Sequence, residues 1–302
     1  MTARTNAADG RHLNERALAA DERRERRLLL GLCSPAVFLT VVIIIIPIGW
    51  LSWLSLFDDA GELSLVNYTR LVEQPSYIKT FKTTFEVSLA VTAVCLALGY
   101  PLAYMLAQLP RRAAGLCMFF VILPFWTSVL VRTYAWLVML QRKGLINGLL
   151  NGLGLIDEPV QLAHNILGVI IAMSHVLLPL LVLPLYASMK AIDRDLVRAA
   201  MNLGASPTAA FWQVFFRLSL PGLAAGLVLI FVLSLGFFVT PALMGGGRVI
   251  MWAMRIETTV SLYANWGVAS ALGAVLLIVT LGCLYVFSRL IGAGNLLSKG
   301  LK

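Results

Sequence analysis

The sequence predicts an all-α, polytopic membrane protein with six transmembrane helices. Three observations lead there. Of 302 residues, 59% are hydrophobic and only 13% are charged, whereas a soluble domain carries about a quarter charged residues. The mean hydropathy is +0.85, so most of the chain has lipid as its solvent. Six apolar runs reach the roughly 20 residues that a helix needs to cross the hydrocarbon core. They do not alternate as lipid-facing barrel strands would, which selects helix over strand. An ordinary soluble enzyme, a disordered chain and a secreted disulfide scaffold are thereby excluded.

In chain order, residues 1–28 form a polar tail rich in arginine (Arg4, Arg11, Arg16, Arg23, Arg24, Arg26, Arg27). The stretch 13–30 is expected to lie on the inner membrane surface as an amphipathic segment. The first apolar run, 29–56, is too long for a signal-peptide core and ends in bulky Trp50 and Trp53. It reads as an uncleaved first span. The other spans are expected at 81–108, 115–140, 162–187, 222–243 and 266–291, so the transmembrane domain occupies 29–291 and 292–302 is a C-terminal tail. Asp58-Asp59-Ala60-Gly61 ends the first span, Pro110-Arg111-Arg112 parts the second from the third, and Arg142-Lys143-Gly144 ends the third. Gly245-Gly246-Gly247 follows the fifth.

Lys and Arg collect on the cytoplasmic side of membrane proteins. With both termini inside, the cytoplasmic parts hold 16 basic and 7 acidic residues, against 7 and 7 in the outer loops. Arg132 and Glu86 cancel within the spans, so the whole net charge of +9 lies inside. It is a topology signal and not a nucleic-acid footprint. Cys33, Cys95, Cys117 and Cys283 lie in apolar stretches without a C-x-x-C pair or a Cys/His cluster, so no metal or redox site is signalled. No catalytic group stands out. A Gly-rich phosphate loop followed by Lys and Ser/Thr is absent, so the chain is expected to carry no nucleotide chemistry of its own.

The connection 188–221 is long, and long connections tend to be functional. Asp193 is placed to cap a short helix through Leu203, and Gly204 to end it in the left-handed conformation. Ser206 caps a second helix with Pro207 at its first position. Ala199 and Ala200 permit close approach, while Leu196, Met201 and Leu203 offer apolar contact. This elbow reads as a docking surface, against the plainer reading of a solvated connector.

The run Arg198-Ala199-Ala200-x3-Gly204 resembles the EAA loop of ABC importer permeases, a coupling helix that fits a groove on the cytoplasmic ATPase. On that resemblance Arg198, Ala199, Ala200, Leu203, Gly204 and Ala205 form the coupling segment. Val214 and Phe216 stand where the pattern has Ile and Leu. Two positions depart from it: Arg198 replaces the acidic residue, and Arg217 replaces a proline, while Pro221 follows four residues on. Three further stretches are similar to spermidine/putrescine permeases. They are LPFWTSVLVRTYAW (123–136), KGLIN (143–147) with LGLID (153–157), and GFFVTPALMGG (236–246). The match runs in order over about 30–290, and the long N-terminal tail resembles the first of the two permease subunits.

A polyamine is a flexible chain of ammonium groups, held by carboxylates and by aromatic faces worth about 0.5–2 kcal/mol each. Glu86 is the one acidic residue within an expected span, and an ionisable residue there is a functional candidate. Arg132 is either part of the path or a structural partner of Glu86. Trp126, Tyr134, Phe237, Phe238 and Thr240 complete the candidate path, with an interfacial aromatic belt as the plainer reading for the aromatics. Thr240-Pro241 breaks the fifth span, and transporters bind substrate near broken helices.

The resemblance implies a type I ABC importer permease in a bacterial inner membrane. Its expected partners are a second homologous permease, two cytoplasmic ATPases that use ATP and Mg, a periplasmic or lipid-anchored binding protein, and membrane lipid. Nucleic acid is not among them, and no cofactor is expected in this chain. Related cargo such as another small amine, an opine or an aminophosphonate fits the same architecture. A stand-alone secondary transporter or channel would leave the elbow unexplained.

Overall fold

The computed structural model describes residues 2–58 and 61–299, with side chains for residue 25 and for 28–58 and 61–289. The arginine side chains of the tail, Asp59 of the first expected turn and residues 300–302 lie outside the described residues. The chain divides into two units, Met1–Leu54 and Ser55–Lys302.

The first unit is one helix, α1 (Thr2–Leu54), which runs without interruption through the tail boundary expected at 28. Its part Leu28–Leu54 is long and apolar enough to cross a membrane. Pro35 removes the amide that would bond the carbonyl of Gly31. The hydroxyl of Ser34 donates to that carbonyl at 2.9 Å, the kind of local repair that lets proline persist in a spanning helix.

The second unit opens with a turn in which Glu62 N donates to Asp58 Oδ1 at 2.9 Å and Gly61 has φ +81°. Short α2 (Val66–Glu73) leads into α3 (Pro75–Gln108), then α4 (Arg111–Ile122), α5 (Val129–Leu140) and α6 (Leu145–Gly152). After these come α7 (Ile166–Lys190), α8 (Arg194–Asn202), α9 (Pro207–Ala210) and α10 (Phe216–Leu235). The chain closes with α11 (Val239–Met244), α12 (Trp252–Ser261) and α13 (Trp266–Lys299). Among the described residues five helical runs are long and apolar enough to cross a membrane. A bent pair, Arg111–Trp126 with Val129–Gly152, makes a sixth when its arms count as one span.

The core lies where α3, α7 and α10 meet. Val87, Val91, Cys95, Met173, Leu177, Leu181, Leu185 and Ile230 are buried there. Lipid tails are as apolar as these side chains, so close fit rather than water exclusion holds the helices together. Gly99 of α3 and Gly226 of α10 let Leu181 of α7 approach both backbones. A second cluster gathers Leu71, Trp252, Val268, Ala271 and Leu272. Trp252 locks it: its backbone N–H donates to Thr84 Oγ1 at 2.8 Å and its indole N–H to the carbonyl of Leu272 at 2.9 Å.

The structure corrects three sequence expectations. The third span is not one helix over 115–140 but a pair bent by 100°. A single 3-10 turn, Leu123–Trp126, ends the first arm, and Thr127 is extended with ψ 145°. Pro124 cannot continue the helical ladder, and a side chain described below supplies the donors that the freed carbonyls need. The fifth span does not start at 222. The second elbow helix continues through one π turn, Phe211–Phe215, into α10, so that Pro207–Leu235 is continuous. Pro221 sits inside it, where it costs one ladder bond without ending the helix. The same span does not reach 243, because the helix stops at Gly236 and α11 begins anew at Val239. Pro241 thereby falls in the first turn of a helix, where its missing N–H costs nothing.

The connection after α5 is stitched by one residue of the 143–147 motif. Buried Asn147 donates from Nδ2 to the carbonyls of Gln141 (3.0 Å) and Val160 (2.9 Å). Its Oδ1 accepts from Val160 N at 3.0 Å. Asn147→Ala removes all three bonds at once, each worth about 0.5–1.5 kcal/mol net. The variant is expected to melt several degrees lower in detergent, followed by tryptophan fluorescence; an unchanged melting temperature would show that the stitch is dispensable.

Candidate functional site

The elbow is built by its caps. Asp193 accepts from Asp195 N at 2.9 Å and opens α8. At the other end Gly204 N donates to the carbonyl of Met201 (3.0 Å) and Ala205 N to that of Ala200 (3.1 Å). These two bonds are the Schellman pair, which requires a left-handed residue between them; Gly204 has φ +92°. The Ala-x3-Gly spacing is therefore a helix-stop geometry: Ala200 supplies the carbonyl that the residue after Gly204 must reach. Ser206 Oγ then accepts from Ala209 N at 3.2 Å, with Pro207 first in the next helix.

What the elbow presents is apolar and uncovered. Leu203 is 89% exposed, and Leu196 and Met201 are also exposed. Arg198 pairs with Asp195 at 2.9 Å on the open face, a contact worth little by itself in water. It leaves the guanidinium partly spoken for within the elbow. Ala199 is exposed, while Ala200 and Ala205 are half-buried. An aromatic cluster roots the elbow on α3. Tyr104 meets Phe211 and Phe215 edge-on at 5.3 and 5.2 Å, and the hydroxyl of Tyr100 lies 3.2 Å from Ser219 Oγ.

Within the spans, Arg132 and Glu86 are not paired. Glu86 is exposed on α3, 3.8 Å from Lys82 one turn earlier. Buried Arg132 instead turns back on the break that precedes its own helix. Its Nη2 donates to the carbonyls of Pro124 and Thr127, the latter at 2.9 Å, and its Nε donates to Thr127 Oγ1 at 3.3 Å. Thr127 Oγ1 donates in turn to the carbonyl of Pro124 at 2.7 Å. The cation thus satisfies the carbonyls that the bend leaves open, which irregular backbone at membrane depth requires.

Beside this break the structure brings α5, α7 and α11 together. Thr240 is fully buried, and its hydroxyl lies 3.2 Å from Thr133 Oγ1. Trp136 donates its indole N–H to His175 Nδ1 at 3.1 Å. Phe237 packs partly buried against the core, whereas Trp126 (86%), Tyr134 (54%) and Phe238 hold exposed rings. The candidate path residues therefore divide into a buried or half-buried set (Arg132, Thr240, Phe237) and open aromatic faces (Trp126, Tyr134, Phe238). Glu86 stands apart on α3. Trp136 and His175 stand out in the sequence as an aromatic and a histidine within apolar spans, but neither their pairing nor Thr133 does. The two partners lie 39 residues apart. Among the described residues no group of three or more His, Cys, Asp or Glu could hold a metal ion.

Comparison with known proteins agrees with this arrangement. Residues 99–293 match the family model described as binding-protein-dependent transport system inner membrane component. The chain is 36% identical over 246 residues to the spermidine/putrescine transport system permease protein PotB of Escherichia coli (strain K12), covering 80% of this chain and 88% of that one. It is 32% identical over 240 residues to PotB of Haemophilus influenzae, covering 80% and 82%. Among solved structures, a chain of the bacterial alginate ABC transporter in complex with alginate pentasaccharide-bound periplasmic protein superposes with a TM-score of 0.68. That match has 17% identity and covers 87% of this chain and 93% of the other. A spanning bundle with a bent third span, a capped and exposed elbow and a match over most of the chain place it with the transporters: it belongs to the binding-protein-dependent transport system inner membrane components, the multi-pass permease subunits of ABC transporters.

Proposed function

We propose that this chain forms half of the translocation pathway of an ATP-driven importer for a polyamine of the spermidine/putrescine class. The observation that carries this reading is the 36% identity to a spermidine/putrescine permease over 80% of the chain. Both termini and the elbow face the cytoplasm, in keeping with the excess of Lys and Arg on that side. A binding protein delivers substrate outside, a second similar permease completes the pore, and two ATPases bind ATP and Mg and dock on the elbows. The chain itself carries out no covalent chemistry.

The geometry suggests how docking reaches the pathway. Elbow and fifth span share the continuous run Pro207–Leu235, so a displacement of α8 is passed to α10 as a lever, and α10 is interlocked with α7 and α3 through Leu181. ATP binding that draws two elbows together shifts the population between inward-open and outward-open pores by its differential affinity for them. The open faces of Trp126, Tyr134 and Phe238 supply cation–π contacts, each worth about 0.5–2 kcal/mol, and Glu86 offers a carboxylate.

The test is uptake by the complete transporter in proteoliposomes with its binding protein. Labelled putrescine or spermidine is expected to enter only with ATP inside the compartment that holds the ATPases, and excess unlabelled polyamine is expected to suppress it. ATP-dependent uptake of a different amine without polyamine uptake would overturn the substrate and keep the architecture.

A further inference from the structure

A cavity of about 450 Å³ opens where α3 and α7 end and α4 and α8 begin, on the elbow side of the molecule. Its lining joins two kinds of surface. Arg111, Lys190 and Arg194 bring three cations from three elements, while Met189, Ile192 and Phe215 form an apolar wall.

The cations are gathered by backbone and not by acid. Arg194 Nη2 donates to the carbonyl of Ala107 at 2.8 Å, and Lys190 Nζ donates to the same carbonyl at 3.3 Å. That carbonyl belongs to the last turn of α3, which carries the negative end of the helix dipole. One oxygen shared by two cations leaves most of their eight N–H donors open. Arg111, the first residue of α4, makes no side-chain hydrogen bond or ion pair among the described residues, and no side chain caps the start of its helix. The acids on the neighbouring element are engaged elsewhere: Asp193 caps α8, and Asp195 pairs with Arg198. Three cations thus face one cavity without a carboxylate among its lining residues.

We infer that this cavity binds the phosphate headgroup of an anionic phospholipid, with the glycerol and upper acyl region against the apolar wall. Its depth favours a lipid over a soluble phosphate, since it lies where two apolar spans leave the bilayer. Basic pockets between spanning helices at that level are suited to anionic headgroups. Charge alone would also suit an acidic face of a docking protein, but the cations line a concavity, away from the exposed elbow tip at Leu203. Only the choice of the inner leaflet rests on the orientation proposed above.

The test uses the complete transporter in nanodiscs of phosphatidylcholine doped with phosphatidylglycerol, with lipid retained after re-extraction counted by mass spectrometry. Arg111→Gln is expected to lower retained phosphatidylglycerol about fivefold, the effect of one basic residue near an anionic surface. Phosphatidylcholine stays unchanged, and Lys143→Gln in the outer loop has no effect. Because Arg111 makes no side-chain bond within the fold, this variant is expected to assemble. Arg111→Lys is expected to restore retention. Displacement of phosphatidylglycerol by millimolar inorganic phosphate would assign the cavity to a soluble phosphate and overturn the lipid. Unchanged retention in Arg111→Gln would overturn it as well, and loss of the ATPases from that same variant would assign the cations to protein docking. Polyamine uptake is not a readout here, so failure of the substrate reading leaves this result untouched.

Discussion

Gly204→Trp is expected to strip the ATPases from the transporter while this chain still inserts in the membrane. At φ +92°, Gly204 occupies a conformation that only glycine adopts without cost. No heavy atom lies within 4 Å of where a Cβ would stand, so the penalty is in the backbone and not in a clash. Such strain costs about 1–3 kcal/mol. The exposed last turn of α8 is held by the Leu203 N–H on the carbonyl of Ala199 and by the two cap bonds, so the strain is expected to unwind it and carry Leu203 away from its presented position. Gly204→Ala is expected to weaken association less, since it adds the strain without a bulky ring at the contact. Gly154 is the control: it has φ +69° and equally open surroundings but lies in the connection between α6 and α7, outside the elbow. Gly154→Ala is expected to leave association unchanged. Affinity co-purification reads all three, and full retention of the ATPases by Gly204→Trp would remove the elbow as their docking site.

The second large effect is expected at the centre of the bundle. A Cβ added at Gly226 would stand 2.6 Å from Leu181 Cδ1 and 3.3 Å from the carbonyl oxygen of Leu181. On the opposite side, a Cβ at Gly99 would stand 2.9 Å from Leu181 Cδ2. Leu181 is fully buried between them and cannot yield to either side. Gly226→Leu must therefore part α10 from α7, and overpacking of this kind costs about 1–3 kcal/mol or more. Loss of the folded, detergent-extractable protein is the expected result. Leu181→Ala opens a cavity instead and costs about 2–5 kcal/mol. Since the two side chains claim the same space, Gly226→Ala combined with Leu181→Ala is expected to melt above the sum of the single losses, by a coupling of about 0.5–3 kcal/mol. Strict additivity of the melting shifts would show that Leu181 is not the wedge.

The elbow illustrates how far a local pattern reaches. Asp193, Gly204, Ser206 and Pro207 act through bonds to residues at most five positions away, and each was legible at its place in the chain. The same reading fails where a break must be satisfied from a distance. Pro124 lies inside the expected third span, and the apolar count runs straight through it to residue 140. Only the return of Arg132 onto the freed carbonyls makes a 100° bend tenable. A pair with Glu86 is one of the two readings the sequence leaves open for Arg132, because sequence shows charge and depth but not direction. Pro221 misled in the opposite sense, marking an end where the helix in fact runs on.

By itself the sequence determined the solvent of this protein, its helical class, the approximate number of crossings and the position and caps of the elbow. These depend on hydropathy summed over about 20 residues and on backbone bonds within one turn, both of which are local quantities. The tertiary structure alone decided that Leu181 is clasped by two glycines far apart in sequence, and that Trp136 meets His175. It also decided that Arg111, Lys190 and Arg194 face one cavity. Each of these is a contact between helices, and its geometry follows from how side chains interlock across 3.6-residue turns whose rotation about their axes no single helix can specify.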